Sequence, residues 1–409
     1  MGSSSRFSST LTAVSTAGTA VSARKANTIV AVTGSTIGAL ATAFGPFLSF
    51  RPNRVVDGVQ AGAVDAFGAA AWLMIALWVL CAGLAFLEPG RFIGPIRGLI
   101  GTAIIALVIV MSGAAAAEFA MDQGTVARTS FAVGFYYVTV AYLLVEYAAL
   151  KDTPDTLGRL VTVLAGVGAL VAVAASGAIA ELGIVREYQL ASDTFGRELR
   201  RYLFYALGST GTAIVIGIPL GIWAATNKRA EVPIMSVLNV GQVFPALAFI
   251  GIMMPILSGL SRAFPVLREF GIAGIGWAPV FIVLVVYALF PITRNTLVAI
   301  RELPPGVLNA ARGMGMSRGR SLVEVELPLA FPVVLAGIRV ALVQNTAGSI
   351  LAALVGGGGL GSIVFFGLEQ TSMDLVLVGV IPIVAMAFIF DSALRAVERM
   401  TGAPEAQTA

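Results

Sequence analysis

Few residues in this chain could do chemistry, and the usual ones are missing. Its 409 residues include no histidine and one cysteine, Cys81. That removes the commonest general base and metal ligand and leaves no disulfide framework. Serine–histidine and histidine–zinc chemistry are excluded by inventory. No GxxxxGK[ST] sequence occurs, so nothing forms a Walker-type phosphate cradle. The glycine run at 356–361 lacks the Lys-Ser/Thr that would have to come after it, and it is expected as an outward-side loop or re-entrant segment. What remains is polar side chains at unusual depth in apolar sequence. Arg339 lies eleven residues past Pro328, about 16 Å at helical rise. A cation inside a bilayer costs at least ~2.5 kcal/mol, so it must face protein or water. It reads as a pathway element or as a structural partner for backbone carbonyls, Gln344 or Asn345. Gln242, Phe244 and Pro245, with Gln344, Asn345 and Thr346, are polar or helix-breaking positions in two apolar stretches. They either line a path or gate it, or they hydrogen-bond between helices.

The elements that position these residues follow from composition. Hydrophobic residues make up 57% of the chain and charged ones 12%, against about a quarter charged in soluble domains. The solvent for most of this chain is lipid. About 20 apolar residues cross the hydrocarbon core as a helix, and ten stretches qualify: 29–50, 67–87, 98–117, 130–150, 160–180, 202–226, 232–257, 277–293, 329–350 and 375–394. Their continuous apolarity excludes barrel strands, which alternate with period two. The fold class expected is therefore an all-α integral membrane protein of about ten spans. Residues 1–28, rich in Ser, Thr and Ala and without an early apolar run, are expected as a disordered cytoplasmic tail rather than a cleaved signal; Arg6 stands where a myristoylation motif needs Ser or Thr.

With the N-terminus inside, sixteen Lys and Arg fall in cytoplasmic segments and nine in outer ones, Arg339 excluded. The bias favours both termini on the cytoplasmic side, although the outer stretch 186–201 is itself charged. A net charge of +4 spread over short loops gives no reason to expect nucleic acid. Gly34-xxx-Gly38 and Gly217-xxx-Gly221 permit close helix approach, expected within the chain rather than at a dimer seam. Trp72, Trp223 and Trp277 read as interface anchors and Trp78 as packing.

The chain divides in character near residue 186. Before it, at 29–186, five Ala/Gly/Val-rich spans are joined by brief loops. After it, at 187–409, come an amphipathic lead-in, prolines in or beside spans, and a polar interruption at 294–328. Proline inside a span frees a carbonyl, which a membrane tolerates where helices or a water-lined cavity supply partners. The interruption reads RNTLVAIRELPPGVLNAARGMGMSRGRSLVEVELP. Pro304 and Pro305 can start a helix, Val307, Leu308, Ala310 and Ala311 give it a surface of modest side chains, and Gly313 and Gly315 permit a tight turn. A second short helix over 317–326 leads into Leu327 and Pro328 at the membrane, making a compact cytoplasmic knob.

This stretch resembles the coupling loop of ABC-importer permeases, whose pattern is Glu-Ala-Ala, three residues, Gly, nine residues, an aliphatic, any residue, Leu-Pro. Asn309, Ala310, Ala311, Gly315, Val325, Leu327 and Pro328 match at the correct spacings, with Asn309 in place of Glu. Asn cannot form the ion pair a carboxylate could. The run ELPLAFPVVLAGIRVALVQNTAGSILAALVGGGGLGSIVFFGL and the earlier IGIPLGIWAA, QVFPALAFIGIMMPIL and YALFPITRNTLVAI resemble the permeases for glycine betaine, carnitine, choline and proline. The resemblance spans 199–400.

The resemblance implies a five-span type I permease core preceded by an accessory block. It further implies a translocation subunit without catalytic residues, for an importer of compatible solutes such as glycine betaine. Asn309, Ala310, Ala311, Gly315, Leu327 and Pro328 would couple it to an ATPase dimer, and ATP and Mg would sit on that partner, with no cofactor here. A second permease copy or paralogue, an extracytoplasmic solute-binding protein and the bilayer complete the implied assembly, in the cell (inner) membrane. No clustered aromatic cage for a quaternary ammonium is visible in the spacing; by the resemblance it belongs to the binding protein. Amino acids or other small polar solutes remain alternative substrates. An ion-gradient transporter would need deep acids, and the only acids in the spans, Glu146 and Asp391, lie near their cytoplasmic ends. A membrane enzyme lacks a nucleophile–base pair.

Overall fold

The computed structural model describes residues 4–400 apart from 54–55, 89–91 and 125; Arg54 and Arg91, counted in the charge bias, and the terminal residues 1–3 and 401–409 lie outside them. The chain forms two compact units, Met1–Gln189 and Leu190–Ala409. Among the described residues, nine helices are long and apolar enough to cross a bilayer, and Ala69–Leu84 and Leu360–Glu369 are shorter apolar helices.

The first unit runs α1 (Ser4–Phe44), β1 (Pro46–Arg51), β2 (Val59–Gly62), α2 (Ala63–Phe67), α3 (Ala69–Leu84), α4 (Ile93–Gln123), β3 (Arg128–Phe131), α5 (Val133–Asp152) and α6 (Thr156–Ala175). Two expectations are corrected here. Residues 4–28 do not form an irregular tail but continue α1, and Asn27 and Thr28 already bond to Ala148, Asp152 and Ala85. The 29–50 span also stops early. Gly45 stands before Pro46, whose ring disfavours helix in the residue ahead of it, and the chain enters a three-stranded antiparallel sheet ordered β2-β1-β3. Phe47 and Leu48 from β1 are fully buried, with Phe47 packed edge-on against Phe67. By apolarity alone, this short aromatic strand beside a proline is indistinguishable from the end of a span.

Inside this unit Trp78 is buried as expected; a β-carbon at Gly38 would fall 2.4 Å from its ring, so the first glycine pair serves packing within the chain. Arg97, 1% exposed, bonds to Asp152 at 2.6 Å, and Asn27 reaches the other oxygen of that carboxylate, also at 2.6 Å. The charged pair is held where α1, α4 and α5 meet.

The second unit contains most of α7 (Gly183–Leu203), a π turn (Phe204–Gly208), α8 (Ser209–Thr226), α9 (Lys228–Val243), α10 (Ala246–Ala263), α11 (Val266–Glu269), α12 (Trp277–Arg301), α13 (Pro305–Gly313), α14 (Arg318–Ser321), a π turn (Leu322–Glu326), α15 (Leu327–Gly348), a 3₁₀ segment (Ser349–Val355), α16 (Leu360–Glu369) and α17 (Met373–Met400). The amphipathic lead-in, with the charged stretch 186–201, is helical, and Gly183–Thr226 is one helical run of 44 residues. The expected span 232–257 is two helices, because Phe244 precedes Pro245 and both take extended torsions. α8 lies directly on α12. A β-carbon at Gly221 would fall 2.5 Å from Thr296 Cβ, and Thr293 donates to the Gly217 carbonyl. Trp72 and Trp223 are exposed, and the half-buried Trp277 packs edge-on against Phe204 and Phe281.

Candidate functional site

The polar interruption folds as a helical hairpin, and its turn is set by one residue. Gly315 has φ +77°, a left-handed conformation that other residues adopt only with strain. Its N–H donates to the Arg312 carbonyl, and the Met316 N–H donates back to Ala311 at 3.1 Å. These two bonds close α13 by the Schellman pattern. Ser317 then caps α14 through the Arg320 N–H. The second short helix does not end at the membrane: Arg318–Val355 is one run of 38 residues. Pro328, which lacks an N–H and would break a regular α-helix, is admitted because the wider π turn over Leu322–Glu326 immediately precedes it.

Within the hairpin, Asn309, Ala310 and Gly315 are exposed and Ala311 is buried. Ala311 is therefore corrected from a surface position to an interior one, where its small side chain lets α13 lie close to the returning chain. Met314 and Val323 add exposed apolar area to the same segment. The base of the hairpin is fixed. Leu322 packs on the cluster of Ala299, Ile300, Ala330 and Val334, which joins α12 to α15. Arg301 makes a two-pronged ion pair with Glu231, both distances 2.6 Å, tying α12 to α9.

That pair gives a pH prediction. The Arg301 hydrogen bond holds the Glu231 carboxyl below its ordinary value of 4.5. A carboxylate lowered in the folded state contributes stability that is complete above 4.5 and lost as pH falls through the lowered value. Glu231→Gln should therefore lower the unfolding temperature at pH 7, and the gap from wild type should close as pH drops below 4.5; a gap that persists in acid contradicts the assignment.

Farther along α15, Asn345 is fully buried. Its amide donates to Ser209 Oγ at 2.7 Å and Thr210 Oγ1 at 3.1 Å. Those hydroxyls are already committed as donors to the carbonyls of Tyr205 and Ala206, which fixes the amide's orientation. Tyr202 donates to the Thr346 carbonyl at 2.9 Å. Gln344 and Asn345 border a cavity of about 120 Å³ shared with Ile250, Leu284 and Tyr287. Gln242 donates to the Tyr287 carbonyl, and the Tyr287 hydroxyl donates to Phe244 at the α9–α10 break. Four of the six candidate pathway residues, Gln242, Phe244, Gln344 and Asn345, thus converge on Tyr287 and its cavity, and Pro245 opens α10 at the break beside them. The structure also gathers three rings that no sequence spacing announced: Phe249 lies 5.8 Å from Phe244 and 6.4 Å from Tyr287, centroid to centroid. They form a row rather than a closed cage. The sixth residue, Arg339, stands apart, with its guanidinium 3.3 Å from Glu398 and 3.7 Å from Asp391 on α17.

At the opposite end of the α15 run, 356–359 is a glycine turn held from one side. Glu198, buried on α7, accepts the Gly359 N–H at 2.7 Å, and Tyr205 donates to the Gly357 carbonyl at 2.8 Å. Sequence reasoning missed Glu198, Tyr202 and Tyr205. The available signal was their spacing of three and four residues on one face of an amphipathic segment, together with a single acid set among Arg197, Arg200 and Arg201.

Residues 217–402 match the family described as the binding-protein-dependent transport system inner membrane component, and residues 25–185 match the N-terminal domain of the ABC transporter permease YehY. The osmoprotectant import permease protein OsmW of Salmonella typhimurium is 34% identical over 49% of this chain and 86% of its own length. The carnitine transport permease protein OpuCB of Listeria monocytogenes is 33% identical over 48% and 84%. A chain of the inward-facing MetNI methionine ABC transporter aligns over 51% of this chain and 95% of its own at 21% identity and TM-score 0.45. With relatives matched over most of their length, this chain belongs to the family of inner-membrane permease components of binding-protein-dependent ABC importers.

Proposed function

We propose that this chain forms half of the translocation path of an ATP-driven importer for compatible solutes, with glycine betaine or a related quaternary amine as the substrate class. The observation that carries the reading is the unbroken helical run Arg318–Val355. It joins an exposed hairpin at one end to the Asn345 cavity in the middle and the glycine turn at the other. At 1.5 Å per residue such a run is roughly 57 Å long, enough to transmit a displacement of the hairpin across a bilayer. Substrate class is supported by the relatives named for osmoprotectants and carnitine, and by the rings of Phe244, Phe249 and Tyr287, whose faces suit a quaternary ammonium.

In this reading Asn309, Ala310 and Gly315 dock in a groove of a separate ATPase, one of a dimer that binds ATP and Mg. Asn309 contributes a polar contact rather than an ion pair, and Ala311, Leu327 and Pro328 shape the hairpin from within. Rocking of the helices alternates access to the path. A second permease copy or paralogue closes the path, and a solute-binding protein delivers to the face opposite the hairpin. Both termini then lie on the ATPase side, as the basic-residue bias favours. The test is reconstitution with the ATPase and binding protein in vesicles. ATP-dependent uptake of labelled glycine betaine is expected; uptake that follows a sodium or proton gradient without ATP would overturn the reading.

A further inference from the structure

The turn from α8 into α9 carries a groove with apolar walls and a basic head, about 590 Å³ in volume. The two helices meet at Asn227, whose side chain accepts the Arg229 N–H at 3.0 Å and so starts α9. From there α8 contributes Leu220 and Trp223 to the groove, and α9 contributes Pro233, Ile234 and Val237. Its level in the bilayer is fixed by α12. Arg301 ends α12, four residues before the hairpin opens at Pro305. It donates to the Ala224 carbonyl at 3.2 Å and pairs with Glu231. The head of the groove therefore lies on the hairpin side, where apolar spans give way to polar sequence.

Exposed apolar side chains occur all round a membrane protein and by themselves identify no ligand. This surface differs in being concave and in carrying cations at one end. Trp223 is 54% exposed and Val237 71%, so the groove is open along its length. Arg229 lines it, Lys228 adjoins it in sequence, and both are exposed. Neither makes an ion pair among the described residues. The acid of the same turn, Glu231, is already held by both prongs of Arg301.

An apolar trough that ends in two cations at the polar boundary has the build of a seat for a lipid with an anionic head. A tryptophan at that level is a common interfacial anchor. Free phosphate would meet the cations but leave the apolar walls bare. A second copy meeting this patch about a two-fold axis would set the patch against itself, cations included, with no free acid to receive them. We infer that the groove seats one anionic glycerophospholipid of the leaflet on the hairpin side. Its phosphate lies against Lys228 and Arg229, and one acyl chain runs between Trp223 and Val237. The inference requires only that the chain spans a bilayer, so it stands or falls apart from the choice of solute.

The experiment uses the full-length chain in phosphatidylcholine nanodiscs containing a minor fraction of lipid brominated near the head end of its acyl chains. The brominated lipid is either phosphatidylglycerol or phosphatidylcholine. Fluorescence lost in Trp223→Phe isolates the Trp223 signal, and Trp72→Phe does the same for a tryptophan exposed in the first unit. Brominated phosphatidylglycerol should quench Trp223 at about 25-fold lower mole fraction than brominated phosphatidylcholine, about fivefold for each of the two cations. Trp72 should show no such preference. Lys228→Gln combined with Arg229→Gln should remove the preference and leave quenching by phosphatidylcholine intact. Soluble glycerol phosphate at matched ionic strength should not relieve the quenching. Equal quenching of Trp223 by the two lipids, or a preference that survives the double variant, overturns the site. So does quenching by neither lipid, which would put a second copy in the groove. Relief by glycerol phosphate also overturns it, since the cations would then bind an anion without its chain.

Discussion

Replacing Gly315 by tryptophan should reduce ATP-driven uptake in the reconstituted importer to background, a loss of at least about tenfold, while the chain still inserts in the membrane. Two physical effects combine. Gly315 sits at φ +77°, and forcing a side chain into that region costs of order 1–3 kcal/mol, which loosens the closing bonds from Gly315 and Met316 to Arg312 and Ala311. The indole would also stand in open space on the exposed turn of the hairpin, where a β-carbon meets nothing within 4 Å. A partner docked on this face would therefore meet it directly. Co-purification with the ATPase and stimulation of its ATP turnover should fall together with uptake. Gly315→Asn separates the two effects, since asparagine tolerates left-handed torsions better than most residues; it should keep more than half of the coupling. Wild-type uptake by the tryptophan variant would refute docking at the hairpin.

The second large effect is expected at the other end of the same helical run. Glu198 is 6% exposed and is the acceptor for the Gly359 N–H, with Arg197 at 3.0 Å and Arg201 at 3.5 Å. Hydrogen bonds to charged groups contribute about 1.5–3 kcal/mol, and a buried N–H left without its acceptor costs about 1–3. Glu198→Ala should therefore destabilise the protein by about 2–3 kcal/mol. By the scaling of domains of 150–250 residues that is a fall of roughly 4–12 °C in unfolding temperature. Glu198→Gln keeps an acceptor and should recover at least half of the loss. Hydrogen exchange supplies the local readout: amides of 356–359 should lose protection in the alanine variant while those of α12 do not. Unchanged protection there would show that the carboxylate does not hold the glycine turn.

Much of the hairpin over 305–328 was legible in the sequence, for a physical reason. Pro304 and Pro305, the alanines, Gly315 and Ser317 each act through short-range rules of helix start, stop and turn, so their spacing alone defines the hairpin. The same local logic failed where partners are distant in sequence. Pro46 and Pro245 were visible, but the sheet and the split of 232–257 depend on strand partners and on Tyr287, 43 residues from Phe244.

Composition and periodicity by themselves determined that this is a multi-span helical membrane protein without histidine or Walker chemistry. The 309–328 pattern determined the family resemblance. Only the tertiary structure decided that Ala311 faces inward, that Arg339 pairs with Asp391 and Glu398, and that Gln242, Phe244, Gln344 and Asn345 meet at Tyr287 and its cavity. The difference is one of range. Local torsional preferences and the partition of side chains into lipid are written residue by residue, whereas the pairing of a buried polar group depends on which helix the packing of glycines and rings brings against it.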